Sequence, residues 1–387
     1  VIKQTRRISW NWLHSLNKEE MTMVQVQSKG KPITAKSVGN FLSNNAIIIL
    51  ILLLAIFVGL FTENFFTLRN FKNLLINVSP RFIIACGVSG CLITKGTDLS
   101  AGRMVGLSAC LSAMLLQDVN YAGRMLPWLP DIPVFGGLIA VLLICAVFGA
   151  VSGCVIAFLK VPPFIATLGM QTIVYGLCSV ITNNQPMGGY KQSYARVASG
   201  EIPIPGLYQM NPIWAIPFLA LFAVVVGVFM WVLYNKTRHG KYMYAIGGNE
   251  NAAQVAGVNV PATLIRIYVL AAILYALGGF LLGAKAGGAS TATGFGYELE
   301  AIAACTIGGV SVTGGRGKVS SACTIGGVST NGGVGKVSGV LIGVLVFEIL
   351  KICLQFLGVD PAYTYIVQGL VIIVAVALDL RKYLAKK

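Results

Sequence analysis

From residue 45 to residue 380 the sequence is a succession of apolar runs, most of them close to twenty residues long and parted by short polar links. A bilayer core of about 30 Å needs roughly 20 apolar residues per helix. The runs therefore predict an all-α polytopic membrane protein. Ten candidate spans can be cut, near residues 45–64, 79–97, 101–117, 134–159, 163–182, 212–234, 262–283, 299–313, 338–357 and 361–380. Only 11% of the chain is charged, against about 25% in a soluble domain. The spans 79–97 and 299–313 are short and glycine-rich. Irregular backbone at membrane depth is tolerated only inside protein or beside a water-filled cavity, so both are expected in the interior, near a pathway.

The charge distribution orients the spans. Net charge is +16, but it falls between the apolar runs and not in the aromatic-interleaved patches that bind nucleic acid. A cytoplasmic extension, residues 1–44, holds Lys3, Arg6, Arg7, Lys18, Lys29, Lys31 and Lys36, and the far end holds Arg381, Lys382, Lys386 and Lys387. Cytoplasmic loops carry the excess of lysine and arginine, so both termini are expected inside, as an even number of spans requires. The link 235–260, with Lys236, Arg238 and Lys241, then falls in the cytoplasm, and the proline-rich link 183–211 falls outside.

Covalent chemistry finds little foothold. The glycine-rich stretch "GGRGKVSS" and its near-copy "GGVGKVSG" look like phosphate loops, but Lys318 and Lys336 are each followed by valine, and the leading glycine is replaced by Val312 and Thr330. Without that glycine and the magnesium-holding hydroxyl, a nucleotide site is not expected. The two histidines, His14 and His239, stand far apart without carboxylate companions, which argues against triads and metal centres. Cys86, Cys91, Cys145, Cys154, Cys178 and Cys353 lie in apolar runs and read as small core residues. No cofactor and no metal are expected. An ion-coupled secondary transporter is the rival class, but neither an inverted repeat nor an acidic relay stands out.

Three polar features need an account. "TKGTDLSAGR", residues 94–103, places Lys95, Asp98 and Arg103 at one helix junction, where their charges can offset one another. Glu348 and Lys351 stand three residues apart on one helix face and are expected to neutralise each other. The link "GKYMYAIGGNENAAQVAGVNV", residues 240–260, is a cytoplasmic segment of small residues able to lie flush in a groove of another protein.

Taken together, "AIGGNENAAQVAGVNV", "TKGTDLSAGR", "VPPFIATLGM" and "YELEAIAACTIGG" resemble the sugar-type permeases of ATP-binding-cassette importers. The likeness runs from about residue 45 to the end, and is greatest to the galactose and methyl-galactoside branch, beside the ribose and xylose branches. It implies a homodimeric pore in the bacterial inner membrane, a cytoplasmic ATP-binding subunit that powers it and a periplasmic sugar-binding protein that feeds it. It makes the 240–260 link the coupling segment, with Gly247, Gly248, Asn249, Ala252, Ala253 and Gly257 at the ATPase. Gly96, Asp98, Leu99, Ser100 and Gly102 match a second family motif. Ser290, Thr291, Thr293, Phe295 and Tyr297 supply hydroxyls and aromatic faces for a possible sugar gate near the outer side.

One departure from the family pattern lies in residues 304–338. Residues 304–320 and 322–338 differ only at Val312/Thr330, Thr313/Asn331 and Arg316/Val334, a tandem copy with a step of 18 residues. As continuous helix the extra unit would add about 27 Å and carry the next span to the wrong side of the membrane. It is therefore expected to loop out on the cytoplasmic side.

Overall fold

The computed structural model of the chain describes residues 46–211, 213–310 and 336–384. The extension 1–44 and most of the tandem copy lie outside the described residues. What is described is helical apart from two three-residue strands.

Helix α1 is Ala46–Phe61, α2 Leu68–Ile93, α3 Ala101–Leu115, α4 Val134–Phe158 and α5 Pro163–Thr182. A short α6, Gln192–Ser199, leads into β1, Glu201–Pro203, and a single turn, α7, Leu207–Met210. Strand β2, Ala215–Pro217, pairs antiparallel with β1, with Ile202 opposite Ile216. Then come α8, Phe218–Lys236, α9, Arg238–Gly248, α10, Glu250–Val255, and α11, Val260–Ala286. Helices α12, Tyr297–Ile307, α13, Val337–Phe356, and α14, Pro361–Leu384, complete the chain.

Each expected span meets a helix, and six helices are long and apolar enough to cross a bilayer: α2, α4, α5, α8, α11 and α13. Two boundaries differ from the sequence expectation. Helix α2 starts eleven residues before position 79, because its opening turns carry Arg69, Asn70, Lys72, Asn73 and Asn77 and are invisible to hydropathy. Thr67 marks the true start, its Oγ1 accepting from the N–H of Asn70 at 3.3 Å. Helix α12 has 11 residues, about 16 Å of rise, half a bilayer. Gly296 and Gly309, both at positive φ, bound it, and a chain turning through the left-handed region leaves the helix.

Helix α11 is the axle, packed against α4, α3 and α2. Its contact with α4 depends on Gly149 and Gly153. A Cβ at Gly149 would lie 2.6 Å from Ala272 Cβ, and one at Gly153 2.8 Å from Ile265 Cα. Lipid-facing association lacks a hydrophobic drive, so close backbone approach through small residues is what binds such helices. Helices α2, α11 and α13 are mostly buried, whereas α4, α5 and α8 turn Leu143, Val147, Val180, Val224 and Val225 outward. That apolar belt suits hydrocarbon.

Candidate functional site

The link between α2 and α3, residues 94–100, runs through the interior, with Asp98 only 2% exposed. Its polar groups are satisfied by neighbours. Asp98 Oδ1 accepts from the Ser100 N–H at 2.9 Å and the Ser100 hydroxyl at 2.6 Å, and Asp98 Oδ2 accepts from the Tyr275 hydroxyl at 3.1 Å. The Leu99 N–H donates to Thr167 Oγ1 at 3.1 Å, and that hydroxyl contacts the Thr97 and Pro163 carbonyls. Gly96 leaves no room for a Cβ against the Tyr268 hydroxyl. The motif is thus a helix break whose backbone bonds are supplied by α5 and α11, as irregular structure at this depth demands.

The three charges of that stretch do not offset one another. Asp98 takes hydroxyl and amide donors, Lys95 turns outward at φ 65°, and Arg103 leaves the junction. The Arg103 guanidinium lies 4.5 Å from the Tyr175 ring and 5.2 Å from the Phe295 ring, and donates to the Thr291 carbonyl at 3.1 Å. A planar cation can stack on rings and donate at once. Arg103 therefore clamps the segment 287–296.

That segment folds back along α3. The Cys110 thiol donates to the Ser290 carbonyl at 3.5 Å, Gly106 abuts the Thr293 carbonyl, and a Cβ at Gly102 would stand 2.5 Å from the Gly294 carbonyl. Gly294 has φ +80°, which a side chain would strain. Of the five expected gate residues, Ser290, Thr291 and Thr293 help fix this return, Ser290 and Thr291 through their carbonyls and Thr293 through its Oγ1, which accepts from the Ser290 N–H at 3.0 Å. Phe295 and Tyr297 instead line a cavity of about 630 Å3 between α2, α12, α13 and α14.

Arg81, Glu300 and Lys351 stand on the cavity wall, and Glu348 is ion-paired to Arg81. Arg81 Nε is 3.0 Å from Glu300 Oε1, Arg81 Nη1 is 3.2 Å from Glu348 Oε2, and Lys351 Nζ is 2.6 Å from Glu300 Oε2. Glu348 and Lys351 therefore do not neutralise each other along α13. Each finds a partner on another helix, because both side chains face the bundle, where α2 and α12 present opposite charges. The Tyr297 ring lies 5.4 Å from the Arg81 guanidinium.

The link 237–259 is capped at every turn. Thr237 Oγ1 accepts from the Gly240 N–H, Asn249 Oδ1 from the Ala252 N–H at 3.0 Å, and Asn259 Oδ1 from the Ala262 N–H at 3.0 Å. Gly257, at φ +84°, ends α10, with the Val258 N–H donating to the Ala253 carbonyl. Asn249, Ala252 and Gly257 are exposed and Gly248 is half-buried. Gly247 and Ala253 turn inward, Ala253 being 4% exposed and part of the main buried core. Buried side chains cannot meet a partner, so these two anchor the segment. The residue at its tip is Val255, 91% exposed. Lys160, in the link between α4 and α5, lies 3.3 Å from Glu250.

A capped helix pair with an apolar tip at one end of a bundle, and a broken helix with a polar cavity inside it, have the layout of a transporter subunit. Residues 70–376 match the family described as the permease component of the branched-chain amino acid transport system. The chain belongs to that family. The permease is similar to the galactose/methyl galactoside import permease protein of Haemophilus influenzae, 41% identical with 90% of this chain and 97% of the relative covered. It is 39% identical to the protein of that name from Escherichia coli strain K12, covering 92% and 99%. The ribose import permease protein of the same strain is 33% identical, covering 88% and 94%. No solved structure gives a significant match.

Sequence reasoning about the permease missed Arg81, Glu300, Lys285 and Val255. Arg81 stands one residue after Pro80, a position that reads as a span boundary. Its signal was present, since a lone cation well inside an apolar run calls for a partner.

Proposed function

We propose that this permease carries a monosaccharide of the galactose or methyl-galactoside kind into the cell across the bacterial inner membrane. It would work as a homodimer, fed by a periplasmic sugar-binding protein and driven by a cytoplasmic ATP-binding subunit. What carries the reading is the near-complete coverage of the galactoside permeases at 39–41% identity, against 33% for the ribose permease.

In this reading ten helices cross or enter the membrane and both termini are cytoplasmic. The Lys160–Glu250 pair supports it, since it sets the link between α4 and α5 beside α10, on the face that the lysine-rich link 235–260 assigns to the cytoplasm. Helix α10 is the coupling element. Asn249, Ala252 and Gly257 offer a surface without bulk, and Val255 is an apolar knob of the kind a hydrophobic groove receives. Movement of the ATPase would then reach α11 through Asn259 and α8 through Thr237, since both caps are rigid.

The test is uptake of a panel of labelled sugars by cells that lack their own galactoside permease and carry this one with its partner subunits. Galactose and methyl galactoside should enter in preference to ribose and xylose. Preferential ribose entry would move the permease to the other branch.

A further inference from the structure

The cavity between α2, α12, α13 and α14 holds more charge than holding helices together requires. Arg81 lies 13 residues into α2, and Glu348 and Lys351 lie 11 and 14 residues into α13. At about 1.5 Å per residue each is well inside the apolar layer. Ionisable groups at such depth are costly to insert and mark solute pathways. Stability does not explain them, because apolar residues of like volume serve as well or better than a buried ion pair.

Three of the four charges are also incompletely bonded. Arg81 Nε, Glu300 Oε1 and Glu348 Oε2 are buried and lack a hydrogen-bond partner, although they stand at ion-pair distance. Glu348 keeps only 4% of its side-chain surface exposed. A buried polar atom with an open valence is one that a ligand or water can satisfy. Two of the residues that carry such atoms, Arg81 and Glu300, stand on the cavity wall.

We propose, resting on the sugar-import reading, that this cavity is a station where the travelling sugar is held. Glu300 accepts from ring hydroxyls, Arg81 and Lys351 donate to them, and Tyr297 and Tyr365 offer ring faces to the apolar side of the sugar. The ligand class is a neutral polyhydroxylated ring. The two cations on the wall, Arg81 and Lys351, cancel its two anions, Glu298 and Glu300, so no charged solute gains a net attraction. A hydroxyl both donates and accepts, and so fits alternating charges that an anion or a cation fits only in part. Lys285, bonded to Asn77 Oδ1, stands behind the lining. At about 630 Å3 the space falls within the roughly 300–1,000 Å3 of small-molecule sites. That leaves room for water beside one ring, and a pathway needs such loose holding for release.

The test uses the complete transporter in vesicles and compares galactose with its single-deoxy analogues. The native protein should take up at least one deoxy analogue about tenfold less well than galactose, and Glu300→Gln should narrow that difference severalfold, since one lost hydrogen bond to a charged group is worth about that much. A uniform fall for every sugar would show that the charges only hold helices together, and would overturn the proposal. The variant need not fold for a second measurement to decide. In Thr364→Cys, on the cavity wall, millimolar galactose should slow modification by a polar thiol reagent about threefold or more, whereas ribose should not. Equal rates with and without galactose would equally overturn the station. If the native transporter imports no galactose at all, the sugar reading itself fails, which is a separate outcome.

Discussion

Tyr275 donates its hydroxyl to Asp98 across 3.1 Å, joining the middle of α11 to the broken stretch between α2 and α3. Both groups are buried, so removing the donor strands a carboxyl oxygen that no water reaches. Tyr275→Phe should destabilise the permease by about 1–3 kcal/mol. Thermal unfolding of the detergent-purified protein reads this as a lowered midpoint. An unchanged midpoint would mean that Asp98 is served from elsewhere.

The glycine seam between α4 and α11 gives a paired expectation. Gly149→Val pushes two methyl groups into Ala272 and the Tyr268 carbonyl and should cost about 1–3 kcal/mol or more. Gly176 on α5 has nothing within 4 Å of a built Cβ, so Gly176→Ala should be neutral or stabilising by up to about 1 kcal/mol. Membrane-inserted yield and unfolding midpoint of both variants decide it. Equal behaviour of the two would contradict the packing account.

Buried and exposed residues of the coupling segment should separate by phenotype. Val255→Glu and Ala252→Arg alter only the outer surface, so the permease should insert normally while uptake falls about tenfold or more. Ala253→Arg places charge in the main buried core and should instead reduce folded protein. Wild-type uptake by Val255→Glu at normal expression would remove α10 from the contact.

How far the sequence could be read follows from what hydropathy registers. It finds the apolar centre of each helix, which is why α4, α5 and α13 match their expected bounds within two residues. It does not register the polar opening turns of α2, nor the left-handed glycines that cut α12 short. Local motifs singled out Asp98, Ser100 and Asn249, but not the hydroxyl donors that Asp98 takes in place of Lys95 and Arg103. The partners of Arg81 lie more than 200 residues away in sequence, on α12 and α13, and only the folded bundle brings them together. Burial has the same limit, since within one small-residue run Ala252 is exposed and its neighbour Ala253 is not.

The tandem copy gives a prediction with a geometric basis. Gly308 packs directly on the Gly339 backbone, and Gly343 packs on the Ala304 carbonyl. The chain thus leaves and returns at one place. Deleting residues 305–322 joins Ala304 to Cys323, keeping "ACTIGGVS" ahead of the join to α13. Uptake should stay within about twofold of the parent, since the deletion keeps the residue types on both sides of the join. Loss of uptake in a normally inserted protein would show that the second copy has work of its own.

The central claim is ATP-driven import of a galactoside through this permease. Its most direct measurement is uptake of labelled methyl galactoside by vesicles containing the permease and its ATP-binding subunit, with the sugar-binding protein supplied on the opposite face. The account predicts accumulation that requires ATP, survives a protonophore and a sodium ionophore, and vanishes when the ATP-binding subunit is left out. Accumulation that the ionophores abolish, or that proceeds without ATP, would contradict it.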